Sequence, residues 1–294
     1  MRFFDLHCDT ITKFLMSKQP LYDGNGEVTL QKGNCFEEWS QVFAIFINDD
    51  LRGNDAWQYF LKNVDYFNDE LYKNKSTTYK FNPILSIEGG AAIGGDLNKI
   101  NKIAELGVKL FTLTWNGENE LGYGNLNNIG LKPLGIEAVK LLNSHNITID
   151  ASHLSDRGFY DVANISSKPF IASHSNSRVI CNNKRNLTDE QFNIIRERNG
   201  LVGINFHIPF VTEEENYIMY LLKHIEHFLN LGGEDVVAIG SDFDGCDTHK
   251  TLNSLDKIPE LYKVCFDEFG EKISQKIFYD NANHFFKGSE VDEL

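Results

Sequence analysis

A (β/α)8 TIM barrel spanning residues 1–294 as a single domain is the fold the sequence predicts, and three observations carry it. Eight short apolar, β-branched or aromatic runs recur along the chain, with helically spaced segments between them. No Pro- or Ser-rich linker divides them, and the six prolines are scattered. The 294 residues exceed an average domain of ~150 and fit one barrel of roughly 250.

The first run, Phe3 to Asp9, ends in His7-Cys8-Asp9. Alternation along a strand puts His7 and Asp9 on one face, toward the barrel mouth, and turns Cys8 to the helices. The second run, Gln41 to Ile47, leads to a helical pattern through Trp57, Phe60, Leu61, Val64, Phe67 and Leu71. The third, Pro83 to Glu88, ends in a carboxylate. The glycine pairs behind it, Gly89-Gly90 and Gly94-Gly95, form neither GxGxxG nor a P-loop, which disfavours the runner-up, a doubly wound nucleotide-binding sheet. The fourth, Val108 to Thr114, passes through a Gly-rich loop at Gly122 to Gly130 into a helix that Pro133 opens. The fifth and sixth, Ile147 to Ser152 and Pro169 to Ser173, run into His153 and His174. Thr188-Asp189-Glu190-Gln191 is a capping box ahead of the seventh run, Leu201 to Phe206. The eighth, Val236 to Asp242, closes on a carboxylate.

The charge excludes several partners. Twenty-eight basic against 42 acidic residues leave a formal charge of −14 and a pI near 5.1, the wrong sign for nucleic-acid phosphates or anionic lipid. A small-molecule ligand is expected. Five cysteines, odd in number and without a CxxC pair, argue against a disulfide framework and for a reducing compartment, the cytoplasm. The opening residues lack a secretory apolar core, and no run nears the ~20 residues of a membrane span. Val291 to Leu294 resembles a retention tail only in outline.

Ligands of a barrel bind at the C-terminal ends of its strands, and five of the eight predicted strands deliver a His or carboxylate there. Three imidazoles with two or three carboxylates suit zinc or another borderline divalent ion better than magnesium or calcium. His7, Asp9, Glu88, His153, His174 and Asp242 exceed the needs of one tetrahedral ion, whereas two ions roughly 3.5–4 Å apart would use them all. Glu88, on a middle strand, is the natural bridge. Taken singly, His153 and His174 read as satisfied histidines beside helix caps; five such residues on one rim do not.

The runs Phe4-Asp5-Leu6-His7-Cys8-Asp9-Thr10, Ser86-Ile87-Glu88-Gly89-Gly90, Asp150-Ala151-Ser152-His153-Leu154-Ser155-Asp156, Ala172-Ser173-His174-Ser175, Lys184-Arg185-Asn186 and Gly240-Ser241-Asp242-Phe243-Asp244-Gly245 resemble the membrane (renal) dipeptidase family, and Asp280 to Phe286 sits where that family has an Asn-Phe helix. The resemblance implies a dipeptidase with two zinc ions and a metal-bridging hydroxide, a homodimer of the soluble bacterial type. His7 and Asp9 would hold one ion, His153 and His174 the other, with Glu88 between them. Asp242 would be the proton-handling carboxylate, and Arg185 would grip the substrate's free carboxylate. Trp115 stands where animal members have a substrate-binding His; its indole N–H and the neighbouring Asn116 amide are the substitutes on offer. Rival readings are another binuclear barrel hydrolase, acting on cyclic amides, lactones or phosphoesters, and a catalytically silent metal- or peptide-binding barrel. A carboxylated lysine, the bridge of many such barrels, is unsupported because Lys109 lies near the start of the fourth strand, away from its rim.

Overall fold

Seven of the eight apolar runs form strands, and all seven pair in parallel. They are β1 (Arg2–Cys8), β2 (Glu38–Phe46), β3 (Lys80–Glu88), β4 (Val108–Thr112), β5 (Thr148–Asp150), β6 (Val202–Ile204) and β7 (Val237–Ile239), in the order β5-β4-β3-β2-β1-β7-β6. The structure is a computed structural model that describes residues 1–76 and 80–291, so residues 292–294 of the retention-like tail lie outside the described residues.

The closed eight-stranded TIM barrel expected from the sequence is not formed. The sheet is an open half-barrel that sweeps 248°, with its edges 10 Å apart. The predicted sixth strand, Pro169 to Ser173, crosses the gap through single bridges, Ile171 to Asp150 and Ala172 to Val202. One residue later a side chain replaces the ladder: the Ser173 N–H donates to Asp150 Oδ1 at 2.9 Å rather than to a backbone carbonyl. A β run needs successive backbone pairs, and here buried polar side chains take them.

Parallel strands need crossovers, and helices such as Gly53–Lys73 and Tyr217–Asn230 supply them. Pro133 starts the helix Pro133–Ser144, and the Thr188–Gln191 capping box opens Asp189–Glu197, both as the sequence predicts. Apolar residues sort into two layers. Phe4, Leu6, Val42, Ile84, Leu110, Ile171, Leu201 and Ala238 fill the inside of the sheet, where Phe285 and Phe286 of the helix Asn281–Val291 pack against them. The other faces of the strands meet the crossover helices in a larger core that includes Phe3, Cys8, Phe43, Ile87 and Phe111. Above the inner layer the strand ends carry polar side chains, and there a cavity of about 860 Å³ opens.

Candidate active site

His7 is the penultimate residue of β1 and Asp9 follows the strand. Simple alternation would turn His7 away from the side that Phe4 and Leu6 occupy. The register of β1 against β2 shifts between Asp5 and Cys8, and this irregularity turns His7 inward while Cys8 joins the outer core. Glu88 ends β3; His153 and Asp242 follow β5 and β7; His174 follows the bridging segment. His153 and Asp242 take left-handed backbone conformations, φ +69° and +62°, that residues with a Cβ rarely adopt. Gly245 permits the closest approach, since a Cβ there would sit 1.9 Å from Asp9 Oδ2 and 2.9 Å from Asp242 Oδ1.

These six side chains converge. His7 Nε2 lies 3.4 Å from Asp9 Oδ2, 3.7 Å from Glu88 Oε2 and 3.9 Å from Asp242 Oδ1. Glu88 Oε1 lies 2.8 Å from His153 Nε2 and 3.6 Å from His174 Nε2. One oxygen of Glu88 thus faces each side. Three overlapping sets, His7–Asp9–Glu88, Glu88–His153–His174 and His7–His174–Asp242, each place their donor atoms within 4.8 Å of one another, all buried.

The hydrogen bonds around these groups test whether cations fit. His174 Nδ1 is 2.7 Å from Ser173 Oγ, which donates to Asp150 Oδ2 at 2.6 Å. With that hydroxyl proton committed, Nδ1–H is the donor and Nε2 keeps its lone pair. His153 Nδ1–H donates to Asn116 Oδ1 at 2.9 Å, an oxygen that also accepts from Asn125. Two Nε2 lone pairs therefore face each other at 2.9 Å, an arrangement that a shared cation relieves. Across the site, His7 Nε2 and Asp9 Oδ1 are buried with no hydrogen-bond partner. The donor set fits metal ions.

Electrostatics divide the site. Burial opposes charge on His7, but Glu88 and Asp9 outweigh it and raise its pKa well above the usual imidazole value. Burial also favours a neutral Glu88, yet His7 and His153 hold it well below the carboxylate range. Burial, with the nearby Glu88, pushes Asp9 up to about 7. Burial pushes His153 and His174 down, aided by the Arg185 charge on both and by His7 and His153 on His174.

Arg185 is 7% exposed, its guanidinium is 5.3 Å from the Phe210 ring centroid, and its Nε and Nη2 have no partner. Trp115 lines the cavity and meets Phe46 edge to face at 4.9 Å. Asn116 lines the cavity too, but its amide oxygen is engaged by His153. Lys109 lines a separate cavity with Ser40, Asn82 and Phe286, on the opposite side of the inner layer from the six donors.

Three residues in supporting positions carry no role in the sequence reading: Asp5, Asp150 and Asn205. Buried Asp5 accepts from the Ser241 N–H at 2.8 Å and its hydroxyl at 2.6 Å, which pins the segment bearing Asp242 to β1. Asp150 binds the Ser173 N–H and hydroxyl in the same way and also accepts from Thr112. Asn205, just past β6, donates to Asp242 Oδ2 at 2.9 Å. Asp5 shares its motif with His7, so a buried carboxylate inside an apolar run was the available signal.

The membrane dipeptidase (peptidase family M19) profile matches residues 1–291. An uncharacterized protein encoded in the pqqA 5′ region of Klebsiella pneumoniae is 32% identical over 191 residues, 60% of this chain and 70% of that protein. The chain spans about half the length of other curated relatives it matches. Among solved structures, a dipeptidase AC described as a metallopeptidase is 26% identical over 98% of both chains, with a TM-score of 0.88. A Rhodobacter sphaeroides metallopeptidase, crystallised with a phosphinate mimic of the dipeptide L-Ala-D-Ala, shares the fold at a TM-score of 0.89 and 24% identity, over 98% of this chain and 99% of that one. No helix among the described residues is long and apolar enough to cross a membrane. Family match, fold and clustered donors together lead to one statement: the chain belongs to the membrane dipeptidase family, peptidase family M19, and is a hydrolase of the metallopeptidase class.

Proposed function

We propose that this chain is a zinc-dependent dipeptidase, a single domain over residues 1–294 that works as a homodimer in the cytoplasm. The observation that carries the substrate assignment is Arg185: a buried guanidinium with two partnerless N–H groups beside the donor cluster matches the planar carboxylate of a peptide that ends one residue past the scissile bond. Five free cysteines support a reducing compartment. The homodimer rests on the family resemblance alone.

Two bound ions would supply an activated water and a polarised carbonyl. His7 and Asp9 would hold one, His153 and His174 the other, and the two-sided Glu88 would join them. Asn205 orients Asp242 by occupying Oδ2, which leaves Oδ1 toward His7 and the donor cluster. From there Asp242 takes the proton of the attacking water and delivers it to the leaving amine. Arg185 fixes the C-terminal carboxylate and sets the scissile bond in register. Asn116 acts through His153 by fixing its tautomer, a different role from the substrate contact the sequence suggested. Trp115 remains a wall of the substrate cavity.

The test is metal analysis of purified protein with amino-acid release from L,L and L,D dipeptides, before and after chelation. About two ions per chain, cleavage lost on chelation and restored by zinc, and a fall in kcat/KM of roughly 100-fold or more in Arg185→Met are expected. Fewer than one ion per chain, or no cleavage after zinc reconstitution, would remove the dipeptidase reading.

A further inference from the structure

The cavity is asymmetric across the donor cluster. On one side stand Phe210 and His207, their rings 4.6 Å apart, with Arg185 packed against Phe210. Strand order puts the ends of β2 and β4 on the far side of β1 from β6, so Phe46 and Trp115 form the opposing wall. They meet edge to face at 4.9 Å, and the Trp115 ring centroid is 6.4 Å from that of His153. Thr12 braces the corner by accepting the Phe46 N–H at 3.0 Å, and Met16, 73% exposed, stands at its outer edge. Lys13 also lines the cavity, but its ammonium is turned onto Asp244 at 2.8 Å.

We infer that the Phe46–Trp115 corner, edged by Met16, receives the side chain of the substrate's N-terminal residue, and that the enzyme prefers dipeptides beginning with a bulky apolar residue. The inference rests on the dipeptidase reading, because Arg185 orients the substrate. With the terminal carboxylate held beside Phe210 and the scissile carbonyl over the donor cluster, the N-terminal residue extends toward β2 and β4. A glycine or alanine there would leave two half-buried aromatic rings facing water in a cavity of about 860 Å³, whereas a leucine, methionine or phenylalanine would cover them.

The experiment compares kcat/KM of the zinc-loaded enzyme for Phe-Ala, Leu-Ala and Gly-Ala, in the parent chain and in Phe46→Ala, Trp115→Ala and Phe46→Leu. The Phe-Ala to Gly-Ala ratio should be about tenfold or more in the parent, fall toward unity in both alanine variants and survive largely in Phe46→Leu, which keeps an apolar wall. Thermal melting of each variant separates a lost corner from a lost fold, and the ratio is independent of the fraction of active enzyme. Gly-Ala cleaved as well as Phe-Ala by the parent overturns the inference and leaves the dipeptidase reading standing. A high ratio that neither alanine variant lowers also overturns it. Cleavage of no dipeptide removes the dipeptidase reading and the corner with it.

Discussion

The two sides of the donor cluster are built differently. His7, Asp9 and Asp242 come from β1 and β7, neighbouring strands paired at Asp5 and Ile239, and a buried carboxylate, Asp5, ties the segment after β7 to β1. His153 and His174 flank the gap in the sheet, where pairing is down to single bridges, and Asp150 ties them together. The second side compensates with side chains: both imidazoles carry an Nδ1–H hydrogen bond that aims Nε2. The charge states differ as well. Facing carboxylates raise the pKa of His7, whereas burial and neighbouring cations lower those of His153 and His174. Where a ladder fixes the backbone, carboxylates can crowd an imidazole; where the ladder fails, a hydrogen-bond network must do the aiming.

Glu88 joins the two sides, so the largest effect should come from it. Glu88→Gln is expected to cost at least roughly 1,000-fold in kcat/KM and to reduce bound metal below two ions per chain, read by elemental analysis. Full occupancy with near-parental turnover would show that the sides act separately. A smaller effect separates the two anchors. Ser173→Ala removes the acceptor of His174 Nδ1 and should weaken metal affinity about 10–100-fold in chelator competition, with Ser173→Thr recovering most of it. Ser241→Ala removes the matching hydroxyl from Asp5, which touches no imidazole; it should cost about 1–3 kcal/mol of stability in denaturant melts while changing metal affinity less. Equal losses of affinity would erase the distinction.

The last effect shows only as a pH dependence and concerns the loop that carries Arg185. His224 is buried: Nδ1 accepts the Ser177 N–H and Nε2–H donates to Val211 O, so burial, with His227 adding to it, holds its pKa down to about 4 from 6.5. Its folded value lies below its unfolded one, so its contribution is complete above pH 6.5 and is lost as pH falls through 4, about 3 kcal/mol over the window. Denaturant melts between pH 7 and 4 should slope less in His224→Gln than in the parent. Parallel slopes would assign the acid sensitivity elsewhere.

Much of this was legible in the sequence. Strand-end polarity named His7, Asp9, Glu88, His153, His174 and Asp242, and the structure gathers all six. Seven strands stand where apolar runs predict them. The predicted sixth, Pro169 to Ser173, failed because apolar character reports burial rather than pairing: Phe170 and Ile171 are buried, but Ser173 gives its N–H to Asp150. Alternation put His7 on the correct face, yet it could not foresee that Leu6 lies inside as well, since the shift in β1 depends on how β2 pairs. Asn116 was legible as a polar group near the site but not as the partner of His153, because a hydrogen bond over 37 residues leaves no local pattern.

The Asp5–Ser241 clasp has a consequence for the order of assembly. Its partners are 236 residues apart, whereas those of the Asp150–Ser173 clasp are 23 apart. At roughly 5–20 residues per second, the ribosome exposes Asp5 about 10–50 s before Ser241 emerges. The Asp150–Ser173 clasp can close while synthesis continues; the clasp that pins the Asp242 segment to β1 waits for nearly the whole chain. Loop-closure entropy repeats this order on refolding from denaturant. Asp242 is thus the last of the six donors to join, and a nascent chain cut short before β7 would carry the other five without it.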